Sequence, residues 1–274
     1  MSILAEAEGL DYFPCRYGAS KTLFRGPERV LTQPFVAMLG GSSTFGKYVA
    51  QPFPALVETA LGRPVANLGG LNAGPDFYLS DPAALAVAAR AQVAVVQVTG
   101  AEALTNPYYS VHSRRNDRFL AATPALRALF PTVDFAEVHF TRHLLQVLER
   151  SDPIAFAQVV NGLKDAWMDR MRRLLGQLPG RRVLLWLADA PPPDQALALD
   201  PAPPFIDRAM LDALQGEVDQ VVIATPSRRA RALAPFDMTY PETEAALAAC
   251  LPGAAIHAEV AAKLAPVVKA LLQN

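Results

Sequence analysis

Cysteine is nearly absent from this chain. Cys15 and Cys250 are the only two in 274 residues, far apart and without metal-ligand spacing, so neither a disulfide framework nor a thiolate metal centre is expected. Histidine is scarce too, with four residues to supply any imidazole chemistry. Charge of one sign is missing: 25 basic against 26 acidic side chains leave a net charge of −1, which gives no basic surface for nucleic acid. No apolar run approaches the roughly 18 residues that span a bilayer. The opening segment MSILAEAEGLDYF lacks the basic-then-apolar pattern of a secretory leader. These absences lead us to expect a cytoplasmic protein with free thiols, no membrane span, no nucleic-acid partner, and no metal or other cofactor.

What the chain has is apolar content, 51% of its residues, gathered in short runs. Five of them, at 35–39, 65–68, 93–98, 183–187 and 220–224, are apolar almost throughout, the pattern of strands covered on both faces. Helical periodicity fills 52–61, 81–91, a pair within 134–178, and 257–272. The alternation predicts a three-layer α/β/α sandwich with a five-stranded parallel sheet in the flavodoxin-like order 2-1-3-4-5. The expected organisation is an N-terminal arm over residues 1–34 packed on one α/β domain over 35–274. Residues 101–133 are too long for a plain connection after the third strand, and 190–204 read as a stiff proline-rich surface loop.

Ligands of open parallel sheets bind outside the carboxyl ends of the strands, where strand order reverses. For this order the point lies between strands one and three, beside Gly40-Gly41-Ser42-Ser43-Thr44-Phe45-Gly46. Glycines there allow a sharp turn that exposes a hydroxyl at a helix N-terminus. A serine in the loop is either a nucleophile or a helix cap. The loop lacks the Gly-Lys-Ser/Thr ending of a Walker phosphate loop, and it does not match a dinucleotide fingerprint.

The runs GGSSTFG, FPALVETALG and VANLGGLNAGPD together resemble the SGNH (GDSL-type) hydrolase family. The resemblance covers roughly 35–105 and 250–272, and implies that fold with a nucleophile at Ser42. It implies an oxyanion-hole N–H at Asn72, within the Asn67–Gly74 segment, and a proton-accepting His257 opening the last helix. The family's third block falls on Gly100-Ala101-Glu102-Ala103, leaving Asn106 as the nearby side chain to assist the oxyanion. Gly41, Ala103 and Ala254 stand where the family has aspartate, asparagine and aspartate, so the triad is incomplete and Asp237 or Glu259 would have to orient the histidine. By position alone, His257 at a helix N-terminus suits a neutral base, and equally a surface histidine.

A third constellation, Asn106 to Arg118, follows strand three and should overhang the site. His112, Arg114 and Arg115 could clamp an anion there, with Arg16, Lys21 and Arg25 of the arm adding to the patch. The same loop could equally be a solvated surface or a homodimer contact. Gly41, Ser43, Gly70, Gly100 and Glu102 complete the expected substrate contacts. His139 and His143, four apart on one helix, read as a surface pair without a metal. Two functions follow. One is an SGNH-like hydrolase or acyl-transfer enzyme, with a Ser42–His257 pair acting on a small acylated or anionic substrate. The other is a catalytically degenerate relative that binds an anionic small molecule, a glycan or a protein partner.

Overall fold

The computed structural model describes residues 10–234 and 236–273; the expected arm therefore lies partly outside the described residues. The chain alternates strands and helices from β1 (Val36–Leu39), α1 (Ser42–Phe45) and α2 (Phe53–Leu61) to β2 (Val65–Asn67). Next come α3 (Pro75–Leu79), α4 (Pro82–Ala89) and β3 (Val93–Gln97), then β4 (Tyr109–His112), β5 (Arg115–Ala122) and α5 (Pro124–Leu129). A helical pair, α6 (Thr141–Ser151) and α7 (Pro153–Gly176), leads to β6 (Arg181–Leu187), α8 (Arg208–Asp212) and β7 (Gln220–Ala224). The chain closes with α9 (Arg228–Leu233), α10 (Ala245–Ala248) and α11 (Ala254–Gln273).

The five apolar runs form one parallel sheet in the order β2-β1-β3-β6-β7, the predicted arrangement. Alternation within each strand explains the three layers. Ala37, Leu39, Ala94, Val96, Leu184 and Trp186 face a core shared with α4, α6 and α7. Val36, Met38, Val93, Val95, Val183 and Leu185 face the opposite core, against α2 and α11. With helices on both faces no polar side is needed, which is why the strands read as nearly continuous apolar runs. The α7 stripe Phe156, Val160, Leu163, Trp167, Met171 and Leu174 is buried as its spacing requires. Its start is set locally, by Asp152 accepting from the Ile154 and Ala155 N–H groups and by Pro153 in the first turn.

The segment 101–133 is not the long loop expected. It folds as the antiparallel hairpin β4–β5 followed by α5. Its second strand carries Arg115, Asn116, Asp117 and Arg118, and two register shifts interrupt the pairing. A strand so polar and irregular leaves no periodic signal. Pro203 and Pro204, in the stretch expected to be a surface loop, are buried.

Candidate functional site

The carboxyl ends of β1, β3 and β6 open into a cavity of about 950 Å3, at the position the strand reversal predicts. Ser42 and Ser43 enter it from α1. Asn72 and Ala73 come from the loop after β2, and Thr99, Gly100 and Glu102 from the loop after β3. Asp117 reaches in from the hairpin, Arg142 and His143 from α6, and Pro201 to Pro204 close another side.

Buried amides hold the Ser42 loop in place. Gln97, the last residue of β3, accepts the Gly41 N–H at 3.2 Å and the Thr44 hydroxyl at 2.6 Å through its Oε1. Asn67, at the end of β2, donates to the Thr44 carbonyl at 3.0 Å. The loop then turns at Gly46, whose φ of 78° lies in the left-handed region that glycine adopts freely. From the far side Arg25, buried and stacked over the Tyr12 ring, donates to the carbonyls of Phe45, Gly46, Val49 and Ala50. Arg25 is thus a brace beneath the loop, not part of an anion patch.

The Ser42 hydroxyl is closed onto one residue. Its Oγ donates to Asn72 Oδ1 at 3.1 Å and accepts the Asn72 backbone N–H at 3.1 Å. Asn72 Nδ2 in turn donates to Asp117 Oδ2 at 3.0 Å. Asn72 adopts φ 54°, left-handed backbone that asparagine tolerates better than most residues, and this lets its main chain and side chain reach Ser42 together. A serine–asparagine–aspartate chain results. Its immediate proton acceptor is an amide oxygen, which is not a base.

His257 is not brought to Ser42. It is fully buried, lies off the cavity, and stacks on Phe53 with ring centroids 5.6 Å apart. Its Nδ1 accepts the Phe53 N–H at 3.0 Å, and its Nε2 is buried without a partner. Burial, with the Arg25 charge adding to it, pushes its pKa down to about 3. Such an imidazole is a fixed neutral acceptor for α2, and the expected Ser42–His257 pair is corrected accordingly. Nor does either substitute carboxylate orient it: Asp237 Oδ2 accepts from Ala255 N at 2.7 Å, and Glu259 accepts from the Ser227 hydroxyl at 2.6 Å.

Other expected contacts divide cleanly. Gly41, Ser42, Ser43, Asn72, Gly100 and Glu102 line the cavity. Asn106, Gly70, His112, Arg114 and Arg115 do not. Asn106 is a buried turn residue, its Oδ1 accepting the N–H groups of Tyr108 and Tyr109 and its Nδ2 donating to the Leu104 carbonyl. Gly70 packs under Phe77. His112 accepts the Arg114 N–H at the hairpin turn, and Arg114 points to solvent. The overhanging anion clamp is therefore absent, because pairing β4 with β5 turns its arginines away from the cavity. The basic side chains that do line it, among the described residues, are Arg142, His143 and Arg231.

Sequence reasoning missed Asp117 and Gln97. Gln97 left a readable signal, as a lone polar residue closing an apolar strand. Asp117 left none, since its role depends on a hairpin with no pattern. Glu102 reaches the cavity with its Oε2 buried and unpartnered, and burial pushes its pKa up to about 7. Among the described residues no group of three or more His, Cys, Asp or Glu is placed to hold a metal ion, and no helix is long and apolar enough to cross a membrane.

Comparison with known proteins gives one family: the sequence profile of a domain of unknown function, DUF6473, matches residues 1–272. No curated protein matches the chain. Among solved structures it is similar to Est24, a carbohydrate acetylesterase from Sinorhizobium meliloti. That likeness covers 87% of this chain and 100% of the other, with 12% sequence identity and a TM-score of 0.39.

Proposed function

The chain belongs to the DUF6473 family, and from that starting point we propose that it is an SGNH-like α/β protein that binds a hydroxyl-rich small molecule of the glycan kind. The ligand occupies the Ser42 cavity and is held without covalent attachment. One observation carries this reading: both hydrogen bonds of the Ser42 hydroxyl close on Asn72, an amide, with Asp117 behind it. A nucleophile needs a base within hydrogen-bond reach, and the only imidazole at the expected position is spent inside the core. Ser42, Asn72 and the two cavity carboxyls instead offer alternating donors and acceptors, which suit the hydroxyls of a polyol. The arginines that favoured an anionic ligand lie off the cavity, so the polyol is preferred to an anion.

The test pairs a binding measurement with a chemical one. Isothermal titration with a panel of neutral mono- and disaccharides should show binding that Asn72→Ala and Asp117→Asn each weaken. Short p-nitrophenyl esters should not be turned over, and a serine-directed phosphonate should leave Ser42 unlabelled. Labelling of Ser42 that disappears in His257→Ala would instead establish the Ser–His hydrolase, and binding by no member of the panel would overturn the ligand reading.

A further inference from the structure

Six buried side-chain polar atoms among the described residues have no hydrogen-bond partner. Two of them, Glu102 Oε2 and Asp117 Oδ1, belong to carboxyls lining the Ser42 cavity. They arrive on different elements, Glu102 after β3 and Asp117 on β5, and the two segments meet at Gly74. At that junction the Gly74 N–H donates to Asn116 Oδ1 at 2.8 Å, and a Cβ on Gly74 would lie 2.0 Å from the Ala103 carbonyl oxygen. Only glycine permits this contact, so Ala103 and Asn116, the chain neighbours of Glu102 and Asp117, are clamped on one point next to Asn72. The Glu102 carboxyl is itself folded over Gly100, where a Cβ would collide with Oε2 at 2.0 Å.

The cations that act on these carboxyls do so without direct contact. Among the described residues neither belongs to an ion pair. Arg142, whose charge favours ionised Glu102, is tied to Asp200, and Arg231 donates to the Asp189 carbonyl. Tyr109 beside Glu102 stays neutral, its hydroxyl donating to the Glu102 carbonyl at 2.8 Å. Arg115 and Arg118 act on Asp117 only at a distance, and its side-chain bond is to the neutral Asn72 amide. Burial accordingly raises the pKa of both carboxyls. A ligand hydroxyl offers one donor and no charge, whereas an ammonium offers three donors and the missing positive charge.

We propose that the ligand of the Ser42 cavity carries a protonated primary amine among its hydroxyls, as an amino sugar or amino polyol does, and that Glu102 and Asp117 hold that amine. The inference rests on the ligand reading above and adds the amine to it. Binding then favours ionised Glu102, so affinity for the amine rises as pH passes upward through about 7 and a proton is released on binding.

The experiment uses matched probes, glucosamine with glucose and glucamine with sorbitol, in titration calorimetry on the intact chain. At pH 7.5 each amine should bind tighter than its hydroxyl counterpart by about tenfold, the effect of one close charge pair. The preference should shrink at pH 5.5, and Glu102→Gln should remove it, so that the variant binds each amine and its hydroxyl counterpart with equal affinity. A thermal melt confirms that the variant is folded, and Asp117→Asn serves in its place if it is not. Equal affinity within both pairs overturns the amine while the ligand reading stands. Binding by none of the four overturns both. A preference that persists in both variants overturns the assignment to these carboxyls.

Discussion

At the scale of single residues, His257 and Asn72 exchange their expected importance. A histidine opening the last helix, after Pro252-Gly253, has the position of a base, but position along a helix does not say which way the ring points. Here it points inward, onto Phe53. The consequence is measurable. The folded imidazole has a pKa near 3 against an ordinary 6.5, so the unfolded chain binds the proton better between those values. Stability from this residue is complete above pH 6.5 and lost as pH falls toward 3, by an amount on the order of several kcal/mol. Urea unfolding of His257→Phe should lack that acid-side decline. At pH 7.5 the variant should be less stable by about 1–3 kcal/mol, because the buried Phe53 N–H loses its acceptor. An unchanged pH profile would mean that His257 is not the buried neutral group described.

At the scale of elements, α1 is too short to hold itself. Four residues make a single turn, and their placement depends on Gln97, Asn67 and Arg25 from other parts of the chain. Arg25 is the most exacting of these, since one guanidinium donates to four carbonyls and, among the described residues, belongs to no ion pair, and burial lowers its pKa to about 10. A lysine ammonium has three donors on a point charge and cannot reproduce that fork. Arg25→Ala and Arg25→Lys should both destabilise the protein, the alanine variant by about 3 kcal/mol or more, measured by chemical denaturation. Both should also weaken ligand binding at Ser42, although Arg25 lies off the cavity. Affinity that is unchanged in a stably folded Arg25→Lys would show that α1 keeps its place without the brace.

At the scale of the molecule, two buried titrating groups pull stability in opposite directions with pH. His257 favours the neutral range, as above. Glu102, raised from 4.5 to about 7, does the reverse: its contribution is present below pH 4.5 and lost as pH rises through 7. Between those limits the two slopes partly cancel, so the wild-type profile should be flatter than that of either variant. Glu102→Gln should gain about 2 kcal/mol relative to wild type between pH 5 and pH 8, read from denaturation midpoints at the two pH values. A constant difference would show that Glu102 is not a strained carboxyl, and would also remove the reason for an amine in its ligand.

What the sequence determined by itself is the frame. Nearly continuous apolar runs at 35–39, 65–68, 93–98, 183–187 and 220–224, alternating with helical segments, mark strands covered on both faces. The order of strands and helices then restricts the topology, and the strand reversal marks where the cavity opens. Ser42, Ser43, Asn72, Gly100 and Glu102 were legible because each lies in a loop that follows a predicted strand, on the blocks that carry the SGNH resemblance, although Gly70 and Asn106 in the same loops turn away from the cavity. Only the tertiary structure decided the chemistry. The β4–β5 hairpin has no periodic pattern, and it alone brings Asp117 to Asn72 and turns Arg114 to solvent. Likewise the inward turn of His257 comes from packing α11 on α2, a contact between segments about 200 residues apart. Periodicity records which face of an element is buried, whereas the direction of one polar side chain is set by partners that meet it only when the layers close.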